Sequence, residues 1–395
     1  SISGRTVVSQ LYDLKQLEEW TDKLHPGFLP LAANLDEAMQ LPTFKHSWAG
    51  KKVMARVIGR TLLSKLRGKN LATAGQALQG QMLEAAVKAG ADIRINAGVT
   101  KMVVENNRVV GVIVGEGANE KRIDARLGVL LNAGGFARNQ AMIDQYVPGT
   151  KAAWSSTNPG DTGEMIEEGI KLGAATALMD IRVGNPTTVL PENKPNPAMQ
   201  GDLAKPHSIV VDQLGHRFMK EAASYSDICK NILAHNKAAP SIHCGLIMDS
   251  QYLEKYMLMG TMPGSKKPQA WYDENVLLKA ESLGELAGKC RIPADSLKAT
   301  VTRFNGFVRH NKDEDFLRGD YAYDEWLGDP LNEPSHTLGR IENGPFYAVP
   351  IYPGDVSTHG GLVTDIHSRV LREDGSPIEG LFATGVTTAS VFGRG

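Results

Sequence analysis

Two short apolar runs in the sequence each end in a glycine turn. Residues 127–131 lead into Ala133-Gly134-Gly135, and residues 380–384 lead into Gly385. A buried strand followed by glycine brings the backbone close to a ligand at the carboxyl edge of a parallel sheet, because glycine carries no side chain. The pattern predicts two ligand-binding turns, although one such turn alone is common among α/β proteins.

Two further turns and one tyrosine are candidates for chemistry. Thr162-Gly163-Glu164 and Thr358-His359-Gly360-Gly361 combine glycine with polar side chains, but the second is also consistent with a tight β-turn that holds no ligand. Tyr225 follows the run Gly215-His216-Arg217-Phe218. Its phenol is either a group that transfers protons or a half-buried anchor for a helix.

The composition limits the classes of function. The 395 residues are 42% hydrophobic and 22% charged, with a net charge of −1 and scattered basic residues. These values predict a globular chain of two domains and do not favour a nucleic-acid partner. No apolar stretch approaches the roughly 20 residues that span a bilayer. Cys229, Cys244 and Cys290 lie far apart and predict reduced thiols in a cytoplasmic protein.

Periodicity predicts the elements around the glycine turns. The predicted helices cover residues 76–88, 162–174 and 294–310. The predicted strands cover residues 92–95, 100–105 and 108–114. Asn106-Asn107 predicts the turn between the last two strands, because asparagine tolerates positive φ. Prolines, aromatic residues and polar helices concentrate between residues 182 and 352, and this change in composition predicts an inserted domain.

A basic amphipathic stretch covers residues 51–69. Its lysines and arginines alternate with apolar residues such as Leu62 and Leu66, as in a helix that lies on a membrane surface. A solvated helix face is the second interpretation, and the balanced charge of the whole chain favours it.

The glycine turns and the two polar turns together resemble those of the FAD-binding family of fumarate reductases, soluble succinate dehydrogenases and 3-ketosteroid dehydrogenases. The resemblance implies an α/β fold, in which a Rossmann-like FAD-binding domain is interrupted by an inserted α+β substrate or capping domain. The expected boundaries are 1–181 for the first part of the FAD-binding domain, 182–352 for the insert and 353–395 for the return.

The resemblance also implies the contacts to FAD. Val99 matches a position whose backbone meets the adenine, and the first glycine turn would lie along the ADP half. The remaining matches would surround the ribityl chain and the isoalloxazine ring. The complete set is Val99, Ala133, Gly134, Gly135, Glu164, Ser357, Thr358, Gly385 and Val386.

Three positions bear on the substrate. Where the dicarboxylate reductases of the family place an arginine and two histidines, this chain has Tyr225, Asn185 and Val356. A tyrosine in that place resembles the 3-ketosteroid dehydrogenases, as do the runs Asp315-Phe316-Leu317-Arg318 and Ala389-Ser390-Val391-Phe392. The resemblance implies dehydrogenation of a C–C bond beside the ring ketone of a steroid-like substrate, with Tyr225 taking a proton and FAD N5 taking a hydride.

Alternatives remain at this stage. An ene-reductase of the same fold would need a different carboxylate clamp, for which Arg182, Arg217 and Arg303 are candidates. No GxGxxG loop follows an apolar strand near the start, so the unit that binds ADP is expected to be missing. The favoured interpretation is a fragment of a longer protein, truncated at both ends; the other is a non-catalytic remnant. The electron acceptor is not identified by the sequence.

Overall fold

The computed structural model describes residues 9–25, 31–45, 47–115, 117–191 and 194–394. The chain divides into two compact units. The first unit contains Ser1–Asn96 with the short pieces Lys255–Met257 and Met262–Gly264, and the second contains the rest of the chain.

The first unit is mainly helical. Its elements are β1 (Tyr12–Asp13), α1 (Leu35–Gln40), α2 (Trp48–Leu66), β2 (Leu71–Ala72) and α3 (Ala74–Lys88), with 3₁₀ turns over Leu14–Lys23 and Leu41–Lys45. Strands β1 and β2 pair antiparallel. Helix α1 begins with a capping box between Asn34 and Glu37. Helix α3 confirms the prediction over 76–88, and it ends before Gly90, which has φ +77°.

The predicted strand over 92–95 is wrong. These residues form no strand, and all but one of their side chains are exposed. Arg94 and Asp92 pair with each other, with 2.5 Å between Nη2 and Oδ2. Ile95 is exposed and Ile93 is only partly buried, so the segment has no buried apolar face and gains little from joining a sheet.

The second unit mixes strands and helices. Its strands are β3 (Val99–Glu105), β4 (Arg108–Val114), β5 (Lys121–Asp124), β6 (Val129–Leu131), β7 (Thr176–Ala177), β8 (Arg182–Thr187), β9 (Ser208–Val211), β10 (Cys244–Met248), β11 (Leu278–Ala280), β12 (Phe346–Thr358), β13 (Gly361–Leu362), β14 (Arg369–Leu371) and β15 (Pro377–Ala383). Its helices are α4 (Gln140–Tyr146), α5 (Glu164–Lys171), α6 (Gln200–Leu203), α7 (Tyr225–His235), α8 (Ser250–Lys255), α9 (Gln269–Asp273), α10 (Leu283–Cys290), α11 (Ala294–His310) and α12 (Ala322–Leu327).

Two small sheets lie close to the glycine turns in sequence. Strands β3, β4 and β5 form an antiparallel sheet, and Asn106 and Asn107 both have positive φ in its first turn, as predicted. A second sheet has the order β14-β15-β6. Within it β15 and β6 are parallel, with Leu381 opposite Val129 and Ala383 opposite Leu131. One core cluster of buried residues, including Leu131, Ile166 and Leu381, packs beneath these elements.

Residues 182–358 build a larger antiparallel sheet. Its order is β11-β12-β10-β9, and β8 pairs with the later half of β12. A second core cluster joins this sheet to α10 and α11 through residues such as Ile247, Leu286 and Phe304. Helix α11 confirms the prediction over 294–310. The domain boundaries at 181 and 352, and the Rossmann-like character of the first domain, stay predictions.

A buried ion network lies just before α7. The Arg217 guanidinium donates to the Glu221 and Asp313 carboxylates at 2.8–3.1 Å, and Arg318 Nη1 lies 3.2 Å from Glu221 Oε2. All four side chains are almost fully buried. Burial raises the pKa of Glu221, but the two arginines outweigh burial and hold this pKa below its usual range. The network fixes the backbone that leads into α7.

We expect Glu221→Gln to lower the free energy of unfolding by about 3–5 kcal/mol at neutral pH, because it leaves buried guanidinium groups without their counter-charge. Glu281→Gln is the matched control: it removes the exposed pair with Lys279 and should cost less than about 1 kcal/mol. Urea unfolding measures both values.

The same comparison depends on pH. The folded-state pKa of Glu221 lies below the unfolded value, so its contribution is present above the unfolded pKa and is lost as the pH falls. The difference between wild type and Glu221→Gln should therefore shrink below about pH 4. Equal losses in the two variants at neutral pH would contradict the role given to the network.

Candidate active site

The two predicted glycine turns lie side by side. Because β6 and β15 are parallel neighbours, their carboxyl ends meet at one edge of the sheet. The Thr384 N–H donates to the Leu131 carbonyl at 2.9 Å. The Ala133 N–H donates to Thr387 Oγ1 at 2.9 Å, and that hydroxyl donates to the Gly134 carbonyl at 3.0 Å. The structure thus joins two segments from distant parts of the sequence.

The backbone of the two glycine turns is exposed at this edge of the sheet. Ala133, Gly385 and Val386 are exposed, although Leu131 and Ala383 just before them are buried. Gly134 and Gly385 have φ values of +78° and +65°. Glycine adopts these angles without steric strain, so the chain turns sharply at the strand ends.

The first turn is also closely packed from behind. A Cβ on Gly134 would lie 2.2 Å from Asp161 Oδ1, and a Cβ on Gly135 would lie 2.2 Å from Thr358 Oγ1 and 3.0 Å from Val386 Cγ1. Gly135, Thr358 and Val386 therefore lie against one another. Thr358 Oγ1 is buried and has no hydrogen-bond partner within the described residues.

The remaining predicted residues lie on elements that pack against this edge. Val99 begins β3 and packs on the same core cluster as Leu131. Glu164 begins α5 directly after Gly163. A Cβ on Gly163 would lie 2.7 Å from Phe136 Cβ, so this position has no room for a side chain. Ser357 precedes Thr358 on β12. Their contacts with FAD stay predictions.

Asp161 is a residue that the sequence analysis missed. Its carboxylate lies against Gly134, and its backbone carbonyl accepts from the Arg138 N–H at 2.9 Å. Burial raises its pKa, while the Arg138 charge acts in the opposite direction. Only its place in the turn 158–161, just before Thr162-Gly163-Glu164, signals it in the sequence.

Tyr225 is the first residue of α7 and is 36% exposed. The Ser224 hydroxyl caps this helix by accepting from the Asp227 N–H at 3.3 Å. Helix α7 packs on the pair of strands β8 and β12: a Cβ on Gly184 would lie 2.8 Å from Cys229 Cβ, and Cys229 Sγ donates to the Gly354 carbonyl at 3.6 Å.

Strand β12 connects the tyrosine helix to the glycine turns. It contacts α7 at Gly354 and ends at Thr358 beside Gly135. Four residues of strand span roughly 13 Å at about 3.3 Å per residue. One strand therefore contacts both the helix that begins at Tyr225 and the first glycine turn.

The three arginines considered as a carboxylate clamp are all engaged elsewhere. Arg182 is buried and paired with Asp355, whose Oδ1 accepts from Ser155 Oγ at 2.5 Å. Arg217 belongs to the buried ion network. Arg303 pairs with Asp315 at the surface, with 2.6 Å between Nη2 and Oδ1. None of the three arginines is therefore available to bind a substrate carboxylate, which argues against a carboxylate-binding reductase.

The site fits a flavin. A long, partly polar cofactor needs exposed backbone groups at the carboxyl ends of parallel strands and residues small enough to let it approach. Ala133, Gly134 and Gly385 provide such a surface, and the unpartnered Thr358 hydroxyl lies next to it. Within the described residues, no group of acidic, histidine or cysteine side chains is arranged to hold a metal ion.

Comparisons with known proteins agree with this geometry. The sequence profile of the FAD binding domain family matches residues 13–395. A 3-oxosteroid 1-dehydrogenase of Mycobacterium tuberculosis is 36% identical over 407 residues, which cover 99% of this chain and 72% of that protein. The chain belongs to the FAD-dependent 3-oxosteroid dehydrogenase family.

The chain is also similar to a solved structure and to a fumarate reductase. The 3-ketosteroid Δ1-dehydrogenase of Sterolibacterium denitrificans, solved with 1,4-androstadiene-3,17-dione, has a TM-score of 0.92 and 30% identity, and the match covers 99% of this chain and 73% of that one. A probable fumarate reductase of Shewanella frigidimarina is 28% identical over 81% of this chain and 49% of its own. The protein is thus an oxidoreductase whose cofactor is FAD.

None of the described helices combines the length and the apolar character needed to cross a membrane. The cytoplasmic location and the absence of a nucleic-acid partner stay predictions.

We expect Gly135→Ala to lower the flavin content of the purified protein at least severalfold, because the added methyl group would collide with Thr358 Oγ1 at the turn. The ratio of flavin to protein absorbance measures this content. Gly201→Ala is the control, since a Cβ there meets no atom within 4 Å. Wild-type flavin content in Gly135→Ala would remove this turn from the cofactor site.

Proposed function

We propose that this protein dehydrogenates the C1–C2 bond of a 3-oxosteroid. The observation that carries the proposal is the position of Tyr225, exposed at the start of α7, a helix that packs on the same strand, β12, that ends beside the first glycine turn. The relatives named as 3-oxosteroid 1-dehydrogenases, and the androstadienedione in the Sterolibacterium structure, support the substrate class and the bond.

The reaction removes two hydrogens as a proton and a hydride. The proton on the carbon beside the ketone is acidified by the carbonyl, and the Tyr225 oxygen takes it as the general base. FAD, when bound, supplies the acceptor for the hydride that leaves the neighbouring carbon. The two electrons of the broken C–H bond beside the ketone become the second bond between the carbons.

The residues on the strands beneath α7 and beside the first glycine turn favour an uncharged substrate. Asn185 and Thr187, on the strand beneath α7, are buried, and Thr187 Oγ1 donates to the Trp154 carbonyl at 2.8 Å. Val356 and Val386 are instead partly exposed. Apolar groups at this surface match a steroid ring better than a dicarboxylate, because charged groups lose their hydration in contact with apolar side chains.

The assignment of the base is tested with Tyr225→Phe. We expect kcat for a 3-oxosteroid with an artificial electron acceptor to fall by about 10²–10⁴-fold, as when a general base is removed. The visible absorbance of the bound flavin should not change, because the phenylalanine ring keeps the packing of the helix.

The matched control for this substitution is Tyr321→Phe, at an exposed tyrosine of the same unit. It should retain wild-type turnover. If Tyr225→Phe turns over steroid as fast as this control, Tyr225 is not the base.

A further inference from the structure

A cleft of about 550 Å³ lies on the larger antiparallel sheet of the second unit. Its floor crosses four adjacent strands, from Val211 on β9 over β10 and β12 to Leu278 on β11. Adjacent strands lie about 4.8 Å apart, so the floor is roughly 14 Å wide. Helix α10 packs on the same face of the sheet and ends at Cys290, which lines the cleft. The cleft therefore lies where this helix ceases to cover the sheet.

The centre of the floor is bare backbone. Gly245 on β10 pairs with Val211 on one side and with Pro350 on the other. Within 4 Å, a Cβ on Gly245 would meet only Ile247 Cδ1 at 3.6 Å and Val211 Cγ2 at 3.8 Å. Gly245 is partly exposed, although both of its neighbours in the strand are buried. A glycine inside a strand gives up packing, and it often marks a place where a ligand approaches the backbone closely.

The walls of the cleft are mainly apolar and include one aromatic ring. Leu190, Val276 and Ile292 are among the apolar residues. The Tyr352 ring also lines the cleft, and it stacks on Trp154 with 5.1 Å between the ring centres. A ring held by stacking offers a fixed flat surface to a further ring. The volume lies within the range of about 300–1,000 Å³ that is typical of sites for small molecules with mostly apolar walls.

The charged groups that line the cleft balance one another. Among the described residues these are Asp212, Glu274, Lys289 and Arg291, two of each sign. The Asp212 carboxylate already accepts from two backbone N–H groups at 2.9 Å. Lys289 Nζ donates to a backbone carbonyl at 2.6 Å and lies 2.9 Å from Glu285 Oε1. A charged ligand would lose its hydration here without gaining a net counter-charge, so the cleft favours an uncharged one.

Two polar side chains of the cleft suit a ketone or hydroxyl oxygen. The His243 ring lies 5.5 Å from the Tyr352 ring, and partial desolvation lowers the pKa of its imidazole. The imidazole is therefore neutral at pH 7 and has one N–H donor and one acceptor nitrogen. The Asn275 amide also lines the cleft and has both kinds of group.

We propose that this cleft is a second ligand site, which binds an uncharged, flat molecule of several fused rings, the class to which steroids belong. The bare backbone at Gly245 receives one face of the ring system, and His243 bonds to a polar group at its end. None of the residues assigned to FAD or to proton transfer is among the described residues that line the cleft. The proposal goes beyond the proposed function, because it requires binding of the ligand and no turnover.

The test measures how many steroid molecules the flavin-loaded protein binds. The ligand is 1,4-androstadiene-3,17-dione, which already has the double bond that the proposed reaction forms and is therefore not turned over. Gly245→Leu fills the cleft without strain, because a Cβ there meets its neighbours at ordinary van der Waals distances. In equilibrium dialysis at saturation, we expect wild type to bind one equivalent more than Gly245→Leu.

The matched control is Gly288→Leu. It adds the same side chain on α10 outside the cleft, where a Cβ meets no atom within 4 Å, and it should bind as many equivalents as wild type. The flavin absorbance and the melting temperature of both variants should match those of wild type. Val189→Glu is a second test, because it places a charge on an exposed residue of the cleft. It should weaken binding at the cleft roughly tenfold or more.

The class of ligand is tested with 3-oxo-1,4-androstadiene-17β-carboxylate, which has the same rings and one negative charge. We expect it to bind the cleft roughly tenfold more weakly, or less, than the uncharged steroid. Here binding at the cleft is the difference between wild type and Gly245→Leu.

Three results would overturn the proposal: equal numbers of bound steroid in wild type and Gly245→Leu, wild-type affinity in Val189→Glu, or tighter binding of the carboxylate than of the uncharged steroid. If the proposed function is wrong, both proteins lose the equivalent bound at the catalytic site, and the difference of one equivalent remains. The two failures are therefore distinguishable.

Discussion

The parallel pairing of β6 with β15 is the constraint on which the site depends. The two strands come from distant parts of the sequence, and their register places Ala383 opposite Leu131. The chain then turns at a glycine-containing segment after each strand, and Thr387 joins the two turns by two hydrogen bonds. Without this pairing, Gly134 and Gly385 would be unrelated turns, and no continuous backbone surface would exist to receive a flavin.

A second group of contacts holds the helix of Tyr225 on a strand that also reaches this surface. Strand β12 runs from the sheet core to Thr358 at the glycine turn, and α7 lies against it through Cys229 and Gly354. The buried network around Arg217 holds the segment before the helix. These interactions hold the helix that begins at Tyr225, and a side chain keeps its position in a site only when the element that carries it is held rigidly.

Local sequence patterns predicted the helices and strands better than the contacts between distant segments. Strands 100–105 and 108–114 and helix 294–310 agree with β3, β4 and α11 because periodicity and turn residues act over short distances. The juxtaposition of Asp161 with Gly134 and the pair Arg182–Asp355 depend on distant segments, so neither was predicted. The strand expected over 92–95 failed because β-propensity does not form a strand without a face to bury.

The most direct test of the account is the product formed by the flavin-loaded protein from 4-androstene-3,17-dione with an artificial electron acceptor. We expect a product lighter by two hydrogens by mass spectrometry, with a new C1–C2 double bond visible by proton NMR. We expect no reduction of fumarate under anaerobic conditions. Reduction of fumarate with the steroid left unchanged would contradict the account.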